Sequence, residues 1–171
     1  VIMLLIITGG IGFLTWDDIY RNKMNFKRYR MQSKIILMTA VCLIIFPAVF
    51  FFACDLKNLP AGERLLAAMF QSVTTRTAGF NTIDISEMSE ASKAVMILLM
   101  LIGGSPGSTA GGMKTTTVAV LFANAVAVFR RRQNANFYGR RIDDSIVKSA
   151  TTIMFMYQFF AVSAAVIISM V

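Results

Sequence analysis

Gly103-Gly104-Ser105-Pro106-Gly107-Ser108-Thr109-Ala110-Gly111-Gly112-Met113-Lys114-Thr115-Thr116-Thr117 interrupts an otherwise apolar stretch, with Ala94 to Ile102 before it and Val118 to Phe129 after it. From Ala91 to Phe129 one straight helix would reach roughly 58 Å, almost twice a bilayer core of about 30 Å. Two half-helices joined by the Gly-rich break resolve the excess. Irregular backbone at membrane depth is tolerated only inside protein or beside a water-filled cavity. A second polar segment, Thr74-Thr75-Arg76-Thr77-Ala78-Gly79-Phe80-Asn81-Thr82, lies just upstream. The pair reads as a membrane pathway for an ion, with a gate beneath a filter.

Two competing readings of the break are testable on the residues. Gly107 and Gly112 have phosphate-loop spacing, but Met113 takes the lysine position and Lys114 comes one residue late. That loop also follows a strand in an α/β domain, whereas an apolar helix precedes this one. A simple packing kink needs fewer small residues than six Gly or Pro and six Ser or Thr in fifteen. Lys114 argues the same way, because a cation at membrane depth faces a cavity or a partner.

Composition places the whole chain in a membrane. Of 171 residues, 56% are hydrophobic, with 14 Phe, 12 Met and no His, and the mean hydropathy is +0.65. The net charge of +8 raises nucleic-acid binding, so the placement of the charges decides. Arg21, Lys23, Lys27, Arg28, Arg30 and Lys34 form one block; Arg130, Arg131, Arg132, Arg140, Arg141 and Lys148 form another. Both blocks lie between apolar stretches, which is the positive-inside pattern of cytoplasmic loops and argues against a nucleic-acid interface. Cys42 and Cys54 would stand roughly 18 Å apart on one helix, too far for a disulfide.

Around the break, the expected elements follow in order. Val1–Trp16 reads as the end of a membrane helix stopped by Asp17-Asp18, and Ser33–Ala53 as a full span in which Pro47 introduces a kink. Asp55–Arg64 is a turn-rich outer loop. Ala61–Val73 is an amphipathic helix too short to cross, which fits a re-entrant segment. Ser86 or Ser89 is placed to cap the helix that follows. Ser145–Val171 is another span. With the basic blocks on one face, the crossings between them are even in number, and the opposite loops hold more acids than bases. Both ends of the chain lie in apolar runs, which reads as part of a longer protein.

A carbonyl filter strips a cation of water with backbone oxygens aimed at one axis. It needs a residue of free dihedrals at its tightest point, and Gly79 meets that need. Thr77 adds a carbonyl or hydroxyl, and Phe80 is placed to wedge the loop. The short helix before it points its partially negative C-terminus toward the cation. An ordinary Thr/Gly turn is the plain alternative. Arg76 is either a buried strut bonding loop carbonyls or an electrostatic brake on cation entry. Asp84, Glu87 and Glu90 either gather cations or form a solvated turn. Arg130–Arg132 either anchor on anionic lipid head groups or dock a partner.

The two motifs together, at this spacing, resemble the third pore repeat of the bacterial TrkH/KtrB potassium-uptake transporters, which set four helix–pore–helix repeats around one pore. The resemblance implies an all-α membrane protein built on potassium channel-like repeats, with a broken second helix. It divides the chain into the end of the preceding repeat's second helix (1–16), a cytoplasmic basic loop (17–32), a complete repeat (33–129), a second basic loop (130–144) and the first helix of the next repeat (145–171). Within the repeat, 74–82 matches the filter and 103–117 the intramembrane gating loop, with Gly103, Gly104, Ser105, Pro106, Gly107, Ser108, Thr109, Ala110, Gly111, Gly112, Met113 and Lys114 its central residues. Thr77, Ala78, Gly79, Phe80 and Asn81 match the filter residues, and potassium would be held by the carbonyls of Ala78 and Gly79.

By the same resemblance the substrate is potassium, no cofactor is bound covalently, and sodium or proton coupling stays open. The implied partners are a second copy of the protein in a homodimer, a cytosolic TrkA/KtrA-like nucleotide-binding ring and membrane lipid. The implied location is the bacterial inner membrane, and no enzyme is expected. One filter segment of four is present, and the fourth repeat's second helix, whose arginine the family sets against the loop, is absent; this segment alone is not expected to conduct. A conventional potassium channel lacks the long Gly-rich break and carries a Val-Gly-Tyr or Phe-Gly filter core that this chain does not have. A membrane scaffold with a kinked helix is the other rival.

Overall fold

A computed structural model describes residues 1–23, 25–55, 59–76, 78–132 and 134–170. Thr77, one of the expected filter residues, lies outside the described residues.

The first apolar run is not one helix. It forms α1 (Ile2–Ile11) and α2 (Phe13–Asn22), which meet at an angle of 93°. Gly12 makes the corner at φ 87°, a region that side-chain-bearing residues rarely enter. Asp17 and Asp18 do not stop α2, which runs on to Asn22. A single 3-10 turn, Phe26–Arg28, then leads into α3 (Met31–Cys54). Its 24 residues reach about 36 Å, enough to cross a ~30 Å core.

Pro47 sits inside α3 without ending it. The missing amide leaves the Leu43 carbonyl without its helical donor. Ser72 answers from α4 (Ala61–Thr74), its hydroxyl donating to Ile44 O at 2.7 Å and to Leu43 O at 3.4 Å. A hydroxyl supplied by a neighbouring helix is one way a proline is accommodated in a membrane span.

α4 packs along α3 but spans only 14 residues, about 21 Å. Its start is fixed by Arg64, which donates to the orphan Phe52 carbonyl in the last turn of α3 and lies over the Phe52 ring at 4.3 Å. Its end is buried over Gln71–Thr74.

α5 (Glu90–Leu101) returns beside α3. Of the two serines proposed as its cap, Ser89 takes the position, its hydroxyl accepting from Ser92 N at 3.3 Å. Asp55, at the end of α3, accepts from Ser89 N at 3.1 Å and from the Ser92 hydroxyl. The core of this part joins Phe51 of α3, Ala68 of α4, Met96 and Leu99 of α5, and Met88 from the loop before α5.

The break falls where composition placed it, between α5 and α6 (Thr115–Phe129). Residues Val1–Thr116 form one compact unit and Thr117–Val171 a second. In the second, the basic loop folds into a small antiparallel hairpin, β1 (Asn136–Phe137) and β2 (Arg140–Arg141). Tyr138 and Gly139 turn it, both with positive φ, as two-residue hairpin turns require. Ala127, Ala135 and Ile142 form its buried cluster, with Val120, Phe137 and Val147 packed around them. α7 (Asp144–Ser169) is 26 residues long, and Ala150 is its one buried residue. Phe155, Phe159, Phe160 and Ile167 are exposed along it, an apolar exterior suited to lipid or to neighbouring helices rather than to water.

Candidate functional site

The C-terminus of α4 carries the first half of the site. Ala78 N and Gly79 N both donate to Thr74 O, each at 3.2 Å, so the chain leaves the helix in a tight, bonded turn. The Thr74 hydroxyl then donates to Phe80 O at 2.7 Å and fixes the far side of the turn. Gly79 at the tip has φ 76°, and a Cβ built there would meet nothing within 4 Å. The demand for glycine is therefore conformational and not steric. Behind the turn, Gln71 and Ser72 are fully buried, and Thr75 is held by its hydroxyl donating to Gln71 O at 3.1 Å. Gly79, Phe80 and Asn81 are exposed, and the Phe80 ring, 56% exposed, is not wedged into the described residues.

The second half is the segment between α5 and α6, which is bonded to itself along two limbs. Gly103 N donates to Met113 O at 2.9 Å, Met113 N to Leu101 O at 3.2 Å, and Thr115 N to Gly104 O at 3.1 Å. The limbs approach so closely that a Cβ on Gly103 would stand 1.6 Å from Gly111 O. The buried Ser105 and Thr115 hydroxyls meet at 3.2 Å. Lys114 finds its partner within the loop, donating to Ala110 O at 2.8 Å.

The tip of this loop is seated on the corner between α1 and α2. A broken helix leaves its last carbonyls without donors. Here Thr8 O receives the Trp16 indole N–H at 3.0 Å, Gly9 O receives Thr109 N at 3.4 Å, and Gly10 O receives Ser105 N at 3.0 Å. In the other direction Phe13 N donates to Gly107 O at 3.1 Å. A Cβ on Gly12 would stand 2.6 Å from Pro106 O.

A cavity of about 190 Å³ is bounded by Ala78 and Arg76, by Gly103, Gly104, Ser105 and Ala110 of the loop, and by residues 5–7 and 9–11 of α1. At about 30 Å³ per liquid water, it holds on the order of six waters, room for a partly hydrated cation. The Arg76 Nε is buried with no partner, and among the described residues no acceptor receives the Arg76 side chain.

Sequence reasoning missed the α1–α2 corner as part of the site. Its signal was available as three glycines in four residues, Gly9, Gly10 and Gly12.

Two helices long and apolar enough to cross a bilayer, with shorter apolar helices beside them, define a helical membrane protein. The TrkH family, described as cation transport protein, matches residues 1–171, and the chain belongs to that TrkH/KtrB family. It is 37% identical over 174 residues to the potassium/sodium uptake protein NtpJ of Enterococcus hirae, covering 99% of this chain and 38% of that protein. It is 34% identical to the Ktr system potassium uptake protein B of Bacillus subtilis, over 90% of this chain and 36% of that one. The corresponding protein of Vibrio alginolyticus is 33% identical, over 88% and 35%. The chain therefore spans a little over one third of the relatives it matches. These relatives are transporters and not enzymes.

Proposed function

We propose that this chain supplies one filter segment and the gate of a protein that takes potassium into the cell across the bacterial inner membrane. The observation that carries the reading is the shared cavity. Ala78, next to the left-handed Gly79, and the self-bonded 103–115 loop line one space of about 190 Å³. A cation arriving from outside loses water to carbonyls around Ala78 and Gly79, favoured by the negative end of α4. It then rests in the cavity, where the Gly103–Thr117 loop stands across its path inward. Arg76 places a fixed positive charge at that cavity, which shortens cation residence and acts as the brake.

The relatives' names support potassium as the substrate, and one of them includes sodium. The Ktr system names are those of a multi-component system, consistent with a cytosolic nucleotide-binding ring acting on a homodimer through the basic segments 17–32 and 130–144. Replacing Gly79 by Ser in the full-length protein forces a side chain into a region costing about 1–2 kcal/mol. The expected result is eroded discrimination against sodium in competitive flux into proteoliposomes. Selectivity that survives unchanged rejects the filter assignment.

A further inference from the structure

We propose that the Gly9–Phe13 corner is the seat of the gate: the loop at 103–117 closes the path by docking on it and opens by leaving it. This rests on the gating reading above and assigns positioning residues on a different element. The broken helix end exposes carbonyls at Gly9 and Gly10, and the loop tip supplies amides from Thr109 and Ser105 to fill them. Phe13 N, the free amide at the start of α2, is filled by Gly107 O. Both partners bring backbone groups that have no donor or acceptor within their own element, so each completes the other.

The glycines are the parts that make close approach feasible. Any side chain at 12 would collide with Pro106 O, and a Cβ at Gly9 would sit 3.2 Å from the Thr109 hydroxyl oxygen. Exchange of these few bonds for water is a small free-energy change, about 1 kcal/mol per bond, which suits a reversible contact. α2 continues directly from the seat, and Asp18 on it is bonded to Arg30 N at 3.0 Å and to the Ser33 hydroxyl at 2.5 Å at the start of α3. A push on the basic 17–32 segment therefore reaches the loop through one rigid helix of ten residues.

The distance between Gly9 and Thr109 makes the docked state trappable. In the full-length protein with Cys42 and Cys54 replaced by Ser, Gly9→Cys and Thr109→Cys together place two sulfurs within disulfide reach. Oxidation should form the bond and lower potassium uptake in proteoliposomes at least tenfold, and reductant should restore it. Failure to form the bond overturns the docking, and full uptake by quantitatively oxidised protein overturns its role in closure. A companion variant, Gly12→Ala, should raise basal uptake by unseating the loop even if the cysteine pair is inactive when reduced. Folded Gly12→Ala protein with ordinary basal uptake counts against the seat. Removal of residues 105–110 separates the two levels. If that deletion leaves flux unchanged, the loop is no gate; if it raises flux while the disulfide fails to close, only the seat is wrong.

Discussion

Asp18 is 3% exposed at the end of the first bent helix pair, an expensive place for a carboxylate. Burial opposes its charge, but the Ser33 hydroxyl, the Arg30 amide and the guanidinium groups of Arg30 and Arg21 outweigh it and hold the carboxyl below its usual range. A depressed pKa in the folded state gives stability that is fully present above the unfolded value of about 3.9 and is lost as pH falls through the folded value. Asp18→Asn should lower the melting temperature of the detergent-solubilised protein at neutral pH, by roughly 2 kcal/mol of lost charge-assisted bonding. It should also flatten the fall in stability below about pH 4. A variant that melts with the same acid dependence as the parent would show that the bonds of Asp18 to Arg30 and Ser33 do not carry that stability.

Among the elements, what could be read in advance depended on whether the cause was local. The break at 103–114 was legible because glycine, proline and hydroxyl residues announce it within one window, and α4 because its length falls short of a crossing. The hairpin at 136–141 was not, since each strand is two residues long and carries no alternation to detect. The corner at Gly12 was hidden for another reason. Its glycines sit in a run apolar enough to read as continuous helix, and the groups that stabilise the bend come from residues about a hundred positions away. At the site, Gly79 followed from the need for free dihedrals, whereas the Thr74 hydroxyl that holds the turn depends on a contact no spacing rule supplies.

Glycine substitutions test that distinction element by element. Gly103→Ala places a methyl against the Gly111 carbonyl, where backbone must shift, so the two limbs should part and basal uptake should rise. Gly62→Ala meets nothing within 4 Å and lies in the first turn of α4, so it should leave uptake unchanged and stabilise the helix by up to about 1 kcal/mol. Equal effects from the two would show that the close approach of the limbs is unimportant to the gate.

At the scale of the whole molecule, α3 and α7 are each long and apolar enough to cross a bilayer, and we propose that the chain returns between the basic segments along α5 and α6. A single cysteine at Arg131 should react with a membrane-impermeant maleimide only from the cytoplasmic face, and one at Glu87 only from outside. Both sites are exposed, so access and not burial sets the rate. Labelling of both from one face would invalidate the even number of crossings and with it the re-entrant reading of α4.

The clasp of Asp55 on Ser89 and Ser92 bears on how such a device moves. It ties the C-terminus of α3 to the N-terminus of α5, as the rivet joins a pair of tongs, while no comparable side-chain bond among the described residues joins α3 to the C-terminal half of α5. A displacement applied to the ends of the two helices away from Asp55 is then largest there and fades toward the rivet. Under the proposed function, the Ala78–Gly79 turn, which hangs from the end of α4 that Ser72 bonds to Ile44 in the middle of α3, would keep its shape while the loop parts from its seat, and discrimination between ions would survive each opening.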